Sequence, residues 1–110
     1  MNIKLAQHFS KTPGARYPSE GAFSAQDFRE KWLRPNLQEA INKNVKLEID
    51  IDGTAGIGTS FLEESFGGLI RVDKISYDDI KKTITIISND DPEYIDEINN
   101  YLEYANENEF

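Results

Sequence analysis

The residues best placed by type and spacing to do chemistry are Gly53-Thr54-Ala55-Gly56-Ile57-Gly58-Thr59-Ser60. They come close to the phosphate-binding loop G-x-x-x-x-G-K-[ST], but Thr59 stands where that loop requires Lys. Without the cation the β/γ-phosphates lose their main side-chain partner, which excludes a nucleotide-hydrolysing loop of this kind. The dinucleotide pattern G-x-G-x-x-G fails as well, because Phe61 occupies its third glycine position. Glu48-x-Asp50-x-Asp52-Gly53 opens like a calcium loop, yet its twelfth position is Thr59 rather than a bidentate Glu. What remains is a flexible turn that delivers Thr59 and Ser60 to a helix N-terminus, where unpaired N–H groups and the helix dipole favour a negative group. A bound anion or a phosphoserine would be stabilised there. On the plainer reading Ser60 is only a helix cap and the glycines only permit the turn.

Other candidate chemistry is thin. Asp50 and Asp52 lie on one face of an alternating segment, about 7 Å apart, close enough for paired carboxylates to cooperate. No accompanying acid, ligand set or oxyanion donor is evident, so a hydrolase or transferase built on Asp50, Asp52 and Ser60 is not expected. The single His8 stands apart from any Ser or Asp constellation and reads as a surface or loop residue.

These groups must be positioned by short alternating and periodic segments. Ile3-Lys4-Leu5-Ala6 reads as a strand, and residues 12–22, with Pro13, Gly14, Pro18 and Gly21, as a loop. Ser24 with Asp27 three residues on opens a helix whose apolar positions are Phe28, Trp32, Leu33, Leu37, Ala40 and Ile41. Pro35 should kink or restart it. Residues 46–52 alternate strictly, with Leu47, Ile49 and Ile51 on one side and Glu48, Asp50 and Asp52 on the other. The acidic side must meet water, a loop or a partner.

Ser60-x-x-Glu63 reads as a capping box opening a second helix with Phe61, Leu62, Phe66, Leu69 and Ile70 as its buried stripe. Gly67 and Gly68 fall inside that helix at about 1 kcal/mol each relative to Ala, a cost that close packing must offset. Residues 73–82 read as a polar turn region, and Thr83–Ile87 as another strand. Asp91-Pro92 starts a last helix buried through Tyr94, Ile95, Ile98, Tyr101, Leu102 and Ala105, with fraying from Asn106 to Phe110. Strands alternating with helices predict an α/β fold, a small mixed β-sheet with helices packed on it.

Composition sets the outer bounds. The 110 residues carry a net charge of -8 and no Cys, which removes disulfides, thiolate metal sites and thiol catalysis. One domain, 1–110, is expected at this length. No apolar run approaches the roughly 18 residues of a membrane helix, and the opening residues lack a secretory pattern, so a soluble, cytoplasmic protein without membrane insertion is expected. The charge is uneven: residues 1–46 balance to +4, residues 47–110 to -12, and no Lys or Arg follows Lys82. Nucleic acid is disfavoured as a partner because its phosphates would meet net repulsion.

The run Gly56-Ile57-Gly58-Thr59-Ser60-Phe61-Leu62-Glu63-Glu64-Ser65-Phe66-Gly67-Gly68-Leu69-Ile70-Arg71 resembles the STAS-like domain family of unknown function found in bacteria and their mobile elements. Phe23-Ser24-x-x-x-Phe28-Arg29, Leu33-x-Pro35-x-Leu37 and Glu48-Ile49-Asp50-Ile51-Asp52 extend the resemblance over nearly the whole chain. It implies the fold of anti-sigma-factor antagonists, which bind histidine-kinase-like ATPases and switch partners when a Ser or Thr is phosphorylated after a central strand. Ser60 and Thr59 occupy the corresponding place, although Gly58-Thr59-Ser60-Phe61 replaces the antagonists' usual Asp-Ser-Ser-Gly. The expectation is a non-enzymatic, cofactor-free signalling domain in which Asp50, Asp52, Gly56, Gly58, Phe61, Glu63 and Glu64 meet a protein partner. The alternative is a sensor for a nucleotide or other anion, with Arg16 or Arg29 as counter-charge. Gly67 and Gly68 are open to a dimer contact or an internal one, and the oligomeric state stays open with them.

Overall fold

The computed structural model of the protein describes residues 1–108. Three strands form one sheet in the order β1 (Asn2–Lys4), β2 (Leu47–Asp50), β3 (Ile84–Ile87). Both pairings are parallel, with Asn2, Glu48 and Thr85 in one row and Ile3, Ile49 and Ile86 in the next. The α/β class therefore holds, but the sheet expected to be mixed is parallel throughout the described residues. The alternation read from residues 46–52 sets its two faces. Leu47 and Ile49 are buried, whereas Glu48 is exposed and Asp50 half-exposed. Asn2, Lys4 and Thr85 share that outer face. One face is thus bare and polar, which is unusual for a parallel sheet.

Four helices supply most of the rest of the core, joined by Leu5 of a π-helical turn at Leu5–Phe9 and by Ile51 and Ile57 of the loop after β2. Helix α1 spans residues 25–43, with a wide π-helical turn at Arg29–Leu33 between α-helical Ala25–Phe28 and Arg34–Lys43. Ser24 caps it as expected, its hydroxyl accepting the Asp27 N–H at 3.2 Å. The loop before it contributes too: the Ala15 and Arg16 carbonyls accept the Ala25 and Gln26 N–H groups at 2.9 and 3.1 Å. The helix passes through Pro35 without a break. The wide turn ends at Leu33, so Pro35 falls in the first turn of the following α-helical segment, where its missing N–H does no harm. Asn44 ends the helix in the left-handed region, φ 56°, and Val45 N–H bonds back to the Ala40 carbonyl.

Helix α2 spans residues 59–71 and repeats the arrangement, with a π-helical turn at Glu63–Gly67. Helix α3 (Tyr77–Thr83) lies where a turn region was expected, opened by Ser76, whose hydroxyl accepts the Asp79 N–H at 3.1 Å. Helix α4 (Glu93–Asn108) starts as Asp91-Pro92 indicates, with Tyr94 N–H on the Asp91 carbonyl and Ile98, Leu102 and Ala105 buried. It stays helical through Asn108, so Asn106–Asn108 do not fray; the last two residues of that expectation lie outside the described ones. Ile3, Leu33, Leu47, Ile49, Phe61, Phe66, Ile80 and Leu102 belong to one shared core.

Across this core runs a buried ionic network. Arg29 of α1 is 2% exposed. Its guanidinium donates to both Asp73 oxygens at 2.9 Å and to Glu64 Oε2 at 3.1 Å. Arg34 reaches the same Asp73 at 3.0 Å, and Arg71 reaches Glu64 Oε1 at 3.1 Å. Glu63 pairs with both Arg16 and Arg71. All four arginines of the chain are thereby engaged. Burial alone would push the Glu63 carboxyl upward, but hydrogen bonds from Arg71 and Arg16 outweigh it and hold the group below the usual glutamate range.

The two glycines of α2 make room for these ions. A Cβ on Gly68 would sit 2.6 Å from Arg29 Nε and 2.9 Å from its Cδ. On Gly67 it would sit 2.6 Å from Glu63 Oε2. The close packing that must offset two helical glycines is therefore packing against charged side chains, inside one protomer.

Two outcomes follow. Gly68→Ala gains about 1 kcal/mol of helix propensity but forces a pinned guanidinium aside, an overpacking cost of about 1–3 kcal/mol. Gly67→Ala meets the Glu63 carboxylate and, at 3.4 Å, Arg71 Nη1, an ion pair at the partly exposed rim that can shift outward as the buried Arg29 cannot. Thermal melts should rank Gly68→Ala clearly below Gly67→Ala; equal melting temperatures would contradict the steric reading. The second concerns acid. A carboxylate held low in the folded state contributes stability that is complete above the ordinary glutamate range and lost as pH falls through the lower folded value. Urea titrations from neutral pH down to about pH 3 should show Glu63→Gln losing less stability on acidification than the unaltered chain.

Candidate functional site

In open parallel sheets, ligand and partner contacts gather outside the carboxyl ends of the strands. Here β1 ends at Lys4 and β2 at Asp50, and the glycine-containing loop 53–58 leads from β2 into α2. A crevice of about 370 Å³ lies at this end, lined by Lys4, Gln7, Lys11, Asp50, Asp52 and Gly53.

The loop expected to be flexible is tethered at three backbone points. Gly53 N–H donates to Asp90 Oδ2 at 2.9 Å, Ala55 N–H to the Lys11 carbonyl at 2.8 Å, and Ile57 N–H to the Tyr94 hydroxyl at 3.1 Å. Gly53 and Gly56 carry φ values of 85° and 139°, a region that disfavours side chains. Gly58, at φ -74°, has ordinary extended backbone and open space around it.

Helix α2 starts at Thr59 with Gly58 as its cap residue, and no side chain caps it. The Ser60-x-x-Glu63 box does not form. The reason is register: Gly58 is the cap and Ser60 already lies inside the first turn, and the Glu63 carboxylate is bonded instead to Arg16 and Arg71. Thr59 and Ser60 are both exposed, and neither hydroxyl makes a hydrogen bond among the described residues. The first-turn N–H groups beside them lack any side-chain acceptor.

The other expected site residues divide. Gly56 and Gly58 are exposed on the loop. Phe61 is 1% exposed and packs between Phe9 and Phe28, with ring centroids at 6.3 and 5.8 Å. Glu64 is 3% exposed within the ionic network. Neither is available as a surface contact, and Glu63 is half-buried in the same network. Asp52 accepts from Asp90 N–H at 2.8 Å and Asn89 Nδ2 at 3.1 Å, joining the end of β2 to the turn after β3. Asp50 accepts the Asp52 N–H at 3.0 Å and stays half-exposed in the crevice.

The counter-charges suggested for an anion, Arg16 and Arg29, are both paired with carboxylates. Glu63 hydrogen bonding, set against partial burial, raises the Arg16 guanidinium further above its ordinary value. His8 is exposed, as expected; it stacks on Trp32 at 5.7 Å while its Nδ1 accepts the Lys4 N–H. Among the described residues no group of three or more His, Asp or Glu is arranged to hold a metal ion. No helix there is long and apolar enough to cross a membrane. Lys4 and Lys11, which bring positive charge to the crevice, went unnoticed in the sequence. The only hint was the outward position of Lys4 in an alternating strand.

Residues 24–94 match the family described as STAS-like domain of unknown function (DUF4325). The match begins at Ser24, the cap of α1, and ends at Tyr94, which anchors the glycine loop. No curated protein and no solved structure matches the chain. The matched segment takes in β2, the loop, α2 and most of the ionic network, and on that ground the chain belongs to the STAS-like domain family.

Proposed function

We propose that this chain is a non-enzymatic regulatory interaction domain that meets a protein partner at the exposed loop and first turn of α2. Phosphorylation of Ser60 or Thr59 is its control. The partner class is a histidine-kinase-like ATPase, carried over from the anti-sigma-factor-antagonist resemblance. The observation that carries the reading is the exposure of both hydroxyls at an uncapped helix start, on a loop tethered at Gly53, Ala55 and Ile57. A kinase needs a reachable hydroxyl, and a partner needs a surface held in one shape.

The electrostatics give the modification a way to act. A phosphate on Ser60 adds about two negative charges beside the positive end of α2, which is locally stabilising. Ser60 and Glu63 are three residues apart, hence neighbours on the helix surface. The phosphate would repel the Glu63 carboxylate and compete with it for Arg16, which is 28% exposed at its side chain. One modification then changes both the charge of the contact surface and the pairing behind it. Gly56, Gly58 and the half-exposed Asp50 complete that surface.

Binding of a purified candidate ATPase, measured by calorimetry, tests this. Ser60→Glu should shift the affinity at least about tenfold relative to Ser60→Ala, equivalent to roughly 1.4 kcal/mol. Identical binding by both variants and the unmodified protein would refute the switch.

The crevice supports a second reading, a small-anion sensor, with Lys4 and Lys11 in place of the paired arginines. A ligand bound only by the folded state raises the melting temperature. Nucleotide at saturating concentration should do so in the unaltered protein and less in Lys4→Ala/Lys11→Ala; no shift in either removes nucleotides from consideration.

A further inference from the structure

Among the described residues, strand β3 has a neighbour on one side only. The Ile87 carbonyl accepts the Ile51 N–H at 2.9 Å, so the polar groups of Ile87 face β2. Alternation along a strand then turns the N–H and C=O of Ile86 to the open edge. The Ile84 carbonyl points the same way, while the Ile84 N–H is taken by the Ile80 carbonyl at the end of α3. Beside this edge runs a groove of about 280 Å³, apolar along Ile84, Ile86, Ile95 and Ile98 and with Lys81, Thr85 and Asn99 also in its lining. An open edge with apolar flanks is a template for another strand.

The charges around the edge select the occupant. Lys81 and Lys82 precede β3, and Asp90 and Asp91 follow it. Lys81, Lys82 and Asp90 are all exposed, and their present contacts are solvent-facing ones within the chain: Lys82 with Asp79 at 3.4 Å, Lys81 with Asn99 at 2.9 Å, and Asp90 with the Gly53 N–H at 2.9 Å. Read in one direction the edge runs from positive to negative; read in the other, from negative to positive. It is therefore complementary to itself in the antiparallel sense alone. A parallel copy would set lysine against lysine and aspartate against aspartate.

We propose that β3 pairs antiparallel with β3 of a second copy of this chain, forming a two-fold homodimer with a continuous six-stranded sheet. The seam centres on Ile86. Opposite its own copy, each Ile86 gives one N–H and takes one through its carbonyl, the mutual exchange of a hydrogen-bonded antiparallel pair. Ser88 then falls opposite Ile84, and Asp90 comes to the same end as Lys82 of the copy. Such an isologous contact closes after two subunits. With a net charge of -8 on each copy, this local complementarity offsets a general repulsion.

Sedimentation equilibrium on the full chain, at up to about 1 mM so that a weak pairing is populated, should give twice the 12.6 kDa chain mass. Lys82→Glu alone sets acid against acid at both ends of the seam, and Asp90→Lys alone sets base against base. Each should weaken the dimer at least about tenfold, since opposed like charges at an interface are costly. Mixed one to one they restore both attractive contacts, and the mixture should recover the dimer. Hydrogen exchange on the unaltered chain gives an independent reading: the Ile86 amide should become protected as concentration rises. A monomer across the whole range, or a dimer whose Ile86 amide stays unprotected, would overturn the proposal. So would folded variants that fail to pair when mixed. If either variant does not fold, the exchange result on the unaltered chain decides.

Discussion

Arg29 is a charge buried in the middle of a small core, and the rest of the fold is arranged so that it can stay charged there. An unpaired guanidinium at 2% exposure would be strongly destabilising. Glu64 and Asp73 neutralise it from two directions, and each of those carboxylates has a further arginine of its own. The partners come from α1, α2, the turn after α2 and the loop before α1. The network therefore fixes the position of α2, and with it the helix start that carries Thr59 and Ser60. Buried ion pairs add little net stability over apolar replacements, but they tolerate no missing member. Any packing of α1 against α2 that separated Arg29 from Glu64 or Asp73 would leave a buried charge unpaired.

Both helices meet this constraint with the same device. Arg29 opens the π-helical turn of α1, and Glu63 and Glu64 open that of α2. A π-helical turn holds more residues per turn than the α-helix around it, so it rotates the side chains that follow relative to those that precede. In α1 the wide turn also leaves the Trp32 carbonyl to the Asn36 side chain, at 2.7 Å. Pro35 is accommodated by the same adjustment. The motif Glu63-Glu64-x-x-Gly67-Gly68-x-x-Arg71, which carries much of the family resemblance, is thus chiefly a recipe for seating three arginines, Arg16, Arg29 and its own Arg71.

What could be read from the sequence was whatever depends on local alternation and caps. The faces of β2, the Ser24 cap, the start of α4 and its buried stripe all follow from residues close together in the chain. The failures share a different cause. Ser60-x-x-Glu63 matches a capping box residue for residue, but the helix starts two residues earlier, from Gly58, and Glu63 bonds Arg16, 47 positions away. Gly67 and Gly68 look like a weakened helix until the Glu63 carboxylate is seen over the first and Arg29 over the second. Pro35 signals a kink that the preceding wide turn absorbs. Helix α3 has a cap at Ser76, yet only seven residues and few buried positions, too little periodicity to stand out. Of the candidate site, the exposed hydroxyls were found by position alone. The tethers on the glycine loop were invisible, because they come from Asp90, Lys11 and Tyr94.

Pairing every arginine with a carboxylate of one network also shapes what the outer surface can recognise. Lysine is left as the more exposed cation, and an ammonium meets a phosphate as a point charge. The planar fork that grips a phosphate with two parallel bonds is already occupied by Glu63, Glu64 and Asp73. A phosphorylated partner would find little here to hold its phosphate by shape. In any contact of this domain that depends on a phosphoryl group, the natural division of labour puts that group on this chain and the guanidinium on the other.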